Sequence, residues 1–119
     1  MKMLTLSAAF CFAALGLFAQ VASDASSGVL RVLDRLSGAV IDLPLGVGET
    51  GALGLLKITL DECRFPAANP NGDAFARVTV IYRDKVDPVF EGWLIASAPA
   101  LNAMDHPRYD VWALRCNSA

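Results

Sequence analysis

The sequence predicts an all-β fold, a small single-domain sandwich or barrel of six to seven strands with one short helix between the last two strands. Turn-forming residues punctuate the chain about every eight to twelve positions, which is typical of all-β domains. The segments between these turns alternate apolar and polar residues, so that each would bury one face. A chain of 119 residues suffices for one hydrophobic core and is too short for two.

The amino-terminal residues have the composition of a secretory signal peptide. Lys2 precedes an apolar, uncharged run from Leu4 to Ala19, and small polar residues follow. Small residues stand where a signal peptidase would cleave, after Ala19 or after Ser23. An uncleaved membrane anchor is the alternative, but a span usually needs about 20 apolar residues. We therefore predict a signal peptide over residues 1–23 and a periplasmic or secreted mature protein without a membrane span.

The rest of the chain is expected to consist of a polar linker, residues 24–28, and a single β-rich domain, residues 29–117. The whole sequence carries a formal charge of −2, and removal of Lys2 with the signal makes the protein slightly more acidic. A mildly acidic protein lacks the basic surface that nucleic acids and anionic membranes attract. We expect no nucleic-acid partner and no cofactor.

Two cysteines, Cys63 and Cys116, remain once Cys11 leaves with the signal peptide. In an oxidising compartment such a pair usually forms a disulfide, and closing a loop of this length stabilises the folded state by roughly 4 kcal/mol in the chain-entropy model. Two free thiols are one alternative. A metal pair is another, but the chain has only one histidine to complete its ligands. We predict the disulfide and no metal site.

The first two strands are predicted at Val29–Arg35 and Ala39–Leu45. A short loop containing Gly38 separates them, so the two segments indicate a hairpin. Pro44 suits an edge strand or a strand end, because proline has no backbone N–H to donate to a neighbour. The glycine-rich segment Gly46–Gly54 predicts turns around one further short strand.

The next two strands are predicted at Leu55–Cys63 and Ala74–Arg83. Cys63 falls out of phase with the apolar residues of its strand, which indicates either a bulge near Asp61 or a cysteine just beyond the strand end. Phe65–Asp73 contains two prolines and an Asn-Gly step, and its composition predicts a loop.

The last two strands are predicted at Val89–Ser97 and Tyr109–Cys116. The first is apolar on both faces, which favours a central position in its sheet. In the second, simple alternation places Trp112, Leu114 and Cys116 on one face. We therefore expect Trp112 in the core, packed against the disulfide.

A short helix is predicted between these two strands. Ser97 is a good N-cap, Pro99 fits the first turn, and the residues from Ala100 to Met104 favour about two turns. The step from His106 to Pro107 would end the helix, because a residue before proline disfavours the helical conformation.

The stretch from Gly92 to Cys116 reads GWLIASAPALNAMDHPRYDVWALRC, and upstream of it the chain contains VLRVLDRLSG and GVGETGALGLLKITLDECR. Together these segments resemble a bacterial family known as domain of unknown function 2155. The resemblance extends over about Val29 to Cys116. It implies a small, exported, single-domain protein of a Gram-negative envelope. Because the family has no assigned activity, the resemblance implies no catalytic residues.

A small hydrolase is one class of function to consider. A catalytic set can be drawn from Ser97, the only histidine, His106, and either Asp105 or Asp110. Ser97 lacks the Gly-x-Ser-x-Gly context of a nucleophile elbow. Helix capping by Ser97 and closure of a loop by His106 explain the same residues without catalysis. We therefore predict a non-enzymatic protein.

Polar and aromatic residues near the last two strands are the candidate binding residues: Trp93, Asn102, Asp105, His106, Tyr109 and Asp110. Trp93 alternates with a glutamate and is expected to be half exposed. One hypothesis is that the protein binds a glycan or a cell-wall strand through Trp93, Asn102 and His106. The preferred hypothesis, reached partly by exclusion, is an exported binding or accessory domain that engages an envelope protein.

Overall fold

The computed structural model of the chain describes residues 21–117, so most of the predicted signal peptide lies outside the described residues. This part of the chain contains eight β-strands: β1 (Ala22–Ala25), β2 (Ser27–Asp34), β3 (Val40–Gly46), β4 (Thr50–Leu53), β5 (Leu56–Pro66), β6 (Phe75–Tyr82), β7 (Phe90–Ile95) and β8 (Tyr109–Asn117). The predicted all-β class is confirmed, and the described residues contain more strands than the six to seven expected.

The strands form two antiparallel sheets. The larger has the order β1-β5-β6-β7, and β4 also pairs with β5; the smaller has the order β3-β2-β8. β1 pairs with the carboxyl-terminal end of β5 and β4 with its amino-terminal half, so the two short strands share one edge of β5. Ser26 alone separates β1 from β2, and there the chain passes from the larger sheet to the smaller.

One hydrophobic core lies between the two sheets. Alternate residues of each long strand point into it, which is the pattern expected of strands with one buried face. The largest fully buried side chains are Leu30 and Val32 of β2, Leu56, Ile58 and Leu60 of β5, Val78 and Val80 of β6, and Tyr109 of β8.

The predicted hairpin is confirmed as β2 and β3, in which Val29 is paired with Pro44. β3 is an edge strand of the smaller sheet, so the missing N–H of Pro44 interrupts no ladder on its free side.

Of the two explanations for the out-of-phase Cys63, the structure shows the bulge: the register with β6 shifts between Leu60 and Glu62, and β5 continues past the cysteine. The extra residue turns Cys63 inward, where it is 2% exposed. Cys63 forms the predicted disulfide with Cys116, with the two Cα atoms 5.7 Å apart. Because β5 and β8 belong to different sheets, the bond joins the two layers of the core.

A second bulge corrects the prediction for β8. Val29 pairs with Arg115 and Leu30 with Ala113, so Leu114 has no partner on β2. The side chains before the bulge and Cys116 after it can therefore both face the core, although simple alternation excludes this. Trp112 and Leu114 lie on the outer face of the smaller sheet and not with Cys116 in the core.

The predicted helix between the last two strands is wrong: residues 96–108 contain turns and no helix. The backbone amide and hydroxyl of Ser97 both bond to Asp73 and not to a helical turn. Further along, Met104 and His106 are both buried. Two residues that are two positions apart point to the same side in extended chain, but not in a helix.

Two further predictions about strand position are corrected. The residues expected to form a linker, 24–28, lie largely in β1 and β2, because the β1 part pairs with β5 and the β2 part pairs with β3 and β8. β7, expected to be central, ends the larger sheet and pairs with β6 alone. The apolar outer face of β7 contributes to a groove on the surface of the larger sheet.

Candidate functional site

The outer face of the larger sheet carries the main cluster of aromatic and charged side chains in the described structure. Pairing of the strands places these side chains in rows across the sheet. In one row Arg64 of β5 lies between Asp24 of β1 and Phe75 of β6. In the next, Arg77 of β6 is paired with Trp93 of β7.

A groove lies at one end of this face. Its walls are mostly apolar, it has a volume of about 360 Å³, and it is lined by Ala22, Arg64, Pro66, Phe75, Trp93 and Ile95. We call it the Trp93 groove. Aromatic residues half-exposed in a concavity are typical of protein and ligand binding surfaces. The apolar outer face of β7 therefore forms one wall of a groove and is not covered by another strand.

Arg64 is the one charged side chain in the lining of the groove. Its guanidinium carbon lies 5.5 Å from the centroid of the Trp93 ring, within the range of a cation–π contact. The Nε atom is 3.0 Å from an Asp24 carboxylate oxygen, which is an ion-pair distance, and it makes no hydrogen bond in the described residues. A long hydrogen bond of 3.4 Å to Glu62 completes its contacts.

Beside the groove, Arg77 organises a second group of charges. Its guanidinium lies 3.4 Å from Asp61 and 3.4 Å from Glu91. Asp61 also accepts a 2.7 Å hydrogen bond from the hydroxyl of Thr79. Each arginine of this region is thus shared between two carboxylates, and the groove is bordered by an excess of negative charge.

The candidate binding residues predicted from the sequence do not form one site. Trp93 lines the groove, and Asn102 donates a 2.7 Å hydrogen bond from its side-chain amide to the Trp93 carbonyl oxygen. That carbonyl lies on the free edge of β7, so Asn102 satisfies an edge group and makes the edge less available for pairing with another strand. Asp105 is exposed.

His106 and Tyr109 belong to a buried aromatic cluster with Tyr82, and none of the three residues lines the Trp93 groove. The His106 ring lies 4.7 Å from that of Tyr82 and 5.7 Å from that of Tyr109, measured between centroids. Its Nδ1 accepts hydrogen bonds of 3.1 Å from the backbone amides of Arg108 and Tyr109. The Tyr109 hydroxyl accepts a bond from the Leu55 amide, and the side chain has no exposed surface. Neither ring is placed to touch a ligand.

Two ion pairs surround this cluster. Arg108 binds both carboxylate oxygens of Asp34 at 3.1 Å, and Arg35 bonds to Asp110 at 3.2 Å. Hydrogen bonds from Arg108 lower the pKa of Asp34 to about 2, against the opposing effect of burial and with help from the Leu36 amide. Asp110 is thus occupied by a structural ion pair and by the amide of Val111.

The hydrolase hypothesis required Ser97, His106 and an aspartate to meet. The Ser97 hydroxyl instead donates a 2.6 Å hydrogen bond to Asp73, and within residues 21–117 no hydrogen bond joins it to His106. Burial favours a raised pKa for Asp73, but the hydrogen bonds from Ser97 and Ala74 outweigh it and lower the pKa. In this arrangement Asp73 is a carboxylate that ties the loop before β6 to the end of β7.

Comparison with known proteins places the chain in a family. A family model described as an uncharacterized protein conserved in bacteria, DUF2155, matches residues 28–116. The chain belongs to the DUF2155 family. The matched segment contains β2 to β8, and therefore most of both sheets of this DUF2155 domain.

An uncharacterised protein of Rickettsia prowazekii (strain Madrid E) is 28% identical to this DUF2155 protein over 94 residues. The match covers 76% of the chain and 61% of the relative, so the chain spans about three fifths of the length of that relative. No solved structure matches the chain.

Two features often used to assign function are not found in the described part of the DUF2155 protein. Residues 21–117 contain no group of three or more His, Cys, Asp or Glu side chains arranged to hold a metal ion. The same residues include no helix with the length and apolar character that would cross a membrane.

Sequence reasoning found Trp93 but missed the other walls of the groove in this DUF2155 domain. Ala22 was assigned to the signal peptide, Pro66 falls within the predicted loop Phe65–Asp73, and Phe75 lies in the strand predicted after that loop. Arg64 carried a weak signal, since it follows the out-of-phase Cys63 and so returns to the outer face after the bulge. The remaining residues meet only because β5, β6 and β7 are neighbours.

Proposed function

We propose that this DUF2155 protein is an exported, non-enzymatic binding domain that holds a segment of another envelope protein in the Trp93 groove. The observation that carries the proposal is the groove itself, an open apolar concavity with two aromatic walls on an otherwise charged sheet face. Aromatic side chains that stay accessible beside ion pairs are the usual anchors of protein recognition. The family and its relative carry no activity with which this proposal conflicts.

A protein segment suits the groove better than a glycan. Sugars need several hydrogen-bonding groups around an aromatic platform, and the groove lining offers the single charged side chain Arg64 among apolar walls. The glycan hypothesis also relied on Asn102 and His106. Asn102 is bonded to the backbone of β7, and His106 is buried against Tyr82.

Export is supported by the disulfide between Cys63 and Cys116, because such bonds persist in oxidising compartments. If the signal peptide is removed, cleavage after Ala19 leaves β1 intact. Cleavage after Ser23 would remove half of β1 and with it Ala22, a groove residue. We therefore favour the earlier site, and the intact mass of the protein recovered from the envelope tests this choice. A mass that includes residues 1–19 would contradict cleavage.

Site-specific photo-crosslinking tests the proposed partner. A photoreactive amino acid at Ile95, a groove wall, is expected to capture one envelope protein in the native compartment, and Trp93→Ala is expected to remove the product. The same amino acid at Val86, which is 94% exposed in the turn between β6 and β7 and does not line the groove, is the matched control. Absence of a product from position 95, or the same products from both positions, would contradict the proposal.

A further inference from the structure

The Trp93 groove already contains a cation, and that cation belongs to the protein itself. Arg64 stacks over the Trp93 ring at 5.5 Å from its centroid, so one face of the indole is used as a cation site. The carboxylates that accompany Arg64, Asp24 and Glu62, keep 80% and 44% of their side-chain surface exposed. They remain accessible to a second cation.

Arg64 is held in this position without a bidentate ion pair. Its Nε makes no hydrogen bond within residues 21–117, although Asp24 is 3.0 Å away, and its bond to Glu62 is long at 3.4 Å. An arginine held by a bidentate pair, such as Arg108 with Asp34, would be costly to move. Arg64 has no such pair, so displacing its guanidinium breaks single-point contacts with Asp24 and Glu62 and not a bidentate pair.

The surroundings of the groove are acidic. Asp24, Glu62, Asp61 and Glu91 supply four carboxylates, against two guanidiniums from Arg64 and Arg77. Further along the same face, Lys57 is balanced by its ion pair with Asp84. An exposed acidic rim around an apolar cleft attracts cationic partners by long-range electrostatics.

We infer that the Trp93 groove selects a cationic segment, in which a lysine or arginine is adjacent to an apolar residue. The apolar side chain occupies the walls formed by Pro66, Phe75 and Ile95. The incoming cation lies over Trp93 in the place of Arg64, or beside it, and is neutralised by Asp24 and Glu62. This inference rests on the proposed function and adds the chemistry of the partner to it.

Binding of defined peptides tests the inference. The probes are synthetic peptides with one shared aliphatic and aromatic sequence, flanked by Lys, Ser or Glu. In a Trp112→Phe background Trp93 is the sole tryptophan, and its fluorescence reports binding. The Lys peptide should bind about ten-fold or more tightly than the Glu peptide, with the Ser peptide between them, and its affinity should fall as salt rises from about 0.05 M to about 0.5 M.

Charge variants provide the matched controls. Asp24→Asn and Glu62→Gln should each weaken the Lys peptide roughly two- to five-fold, whereas Asp42→Asn, which alters an ion pair on the other sheet, should leave binding unchanged. Equal binding of the three peptides, no binding of any of them, or insensitivity to salt would overturn the inference.

The outcome is separable from that of the proposed function. If crosslinking from position 95 captures a partner through a segment that mass spectrometry shows to lack Lys and Arg, the cationic inference fails and the binding function stands. If position 95 captures nothing, the binding function fails whatever the peptides do.

Discussion

At the scale of single residues, the polar side chains first considered as site residues form hydrogen bonds with other parts of the chain. His106 combines a ring buried between tyrosines with an Nδ1 atom that accepts two backbone hydrogen bonds. Because Nδ1 accepts, the neutral ring carries its proton on Nε2. The histidine therefore closes the turn before β8, which is the structural role that the sequence hypothesis favoured over catalysis.

Replacing His106 with alanine should destabilise the fold. The backbone amides of Arg108 and Tyr109 would lose their acceptor in a buried site, and we expect a loss of about 1–3 kcal/mol in the free energy of unfolding. Chemical denaturation measures it. Asp105→Ala, at the exposed neighbour, should change stability by less than about 0.5 kcal/mol. A stable His106→Ala protein that no longer crosslinks from the groove would show that the histidine is functional.

Asp34 should make stability depend on acid pH. Its pKa in the folded protein is about 2, against an ordinary value of 3.8, so the unfolded chain binds the proton more readily. The stabilisation is therefore complete above about pH 4 and is lost as pH falls toward 2.

Thermal unfolding across this pH range checks the prediction. Asp34→Asn should lower the melting temperature at neutral pH and flatten its decline between pH 4 and 2. Asp42→Asn should do little, because the pair with Arg31 is exposed on both sides and screened by solvent. A decline of unchanged steepness in Asp34→Asn would contradict the assignment.

At the scale of elements, two bulges decide which side chains reach the core. The bulge after Leu60 brings Cys63 inward, and the one at Leu114 does the same for Cys116. Gly28 of β2 pairs with Cys116 and lies against the disulfide. A Cβ atom on Gly28 would lie 2.6 Å from the Cys63 sulfur, so the disulfide occupies the space that a side chain would need.

Gly28→Ala should therefore destabilise the oxidised protein by about 1–3 kcal/mol through overpacking. The sulfur is fixed by its bond to Cys116 and cannot rotate away. Gly51→Ala is a matched control: its Cβ would also approach other atoms to 2.6 Å, but these are the ends of the Leu43 side chain, which can change rotamer. Equal melting temperatures for the two variants would contradict the close-approach argument.

At the scale of the whole molecule, the disulfide is a covalent crosslink between side chains of the two sheets. It ties β5 of the larger sheet to β8 of the smaller across 53 residues of sequence. The chain also passes between the sheets through β1 and β2, so the layers are connected at more than one place. The bond closes the long loop that contains β6 and β7, and these two strands supply three of the six residues that line the Trp93 groove.

Reduction should lower the melting temperature markedly. The chain-entropy model gives a loss of roughly 4 kcal/mol, and each kcal/mol shifts the melting temperature by about 4–8 °C for a domain of this size. Calorimetry with and without reductant measures the shift. A variant with alanine at both Cys63 and Cys116 should have the melting temperature of the reduced protein, and reductant should not change it. An unaltered melting temperature in reductant would refute the stabilising role.

Much of the architecture was predictable from local pattern, because strand periodicity and turn residues are encoded over a few neighbouring positions. The hairpin with Pro44 at its edge follows from such a pattern, and the loss of alternation at Cys63 limited that position to a bulge or a strand end. Predictions failed where a distant segment competes for the same residues. Ser97 hydrogen-bonds to Asp73 and does not cap a helix. Pairing with β5 places the first of the residues expected to form a linker in a strand.

The sequence by itself determined the all-β class, the succession of the long strands along the chain and the pairing of Cys63 with Cys116, since these depend on periodicity and on the number of cysteines. Only the tertiary structure decided the outward position of Trp112 and the composition of the Trp93 groove. The groove combines Ala22, Arg64, Phe75 and Trp93 from four strands. Residues so far apart meet only after strand order and register are set, and packing of the whole core sets both.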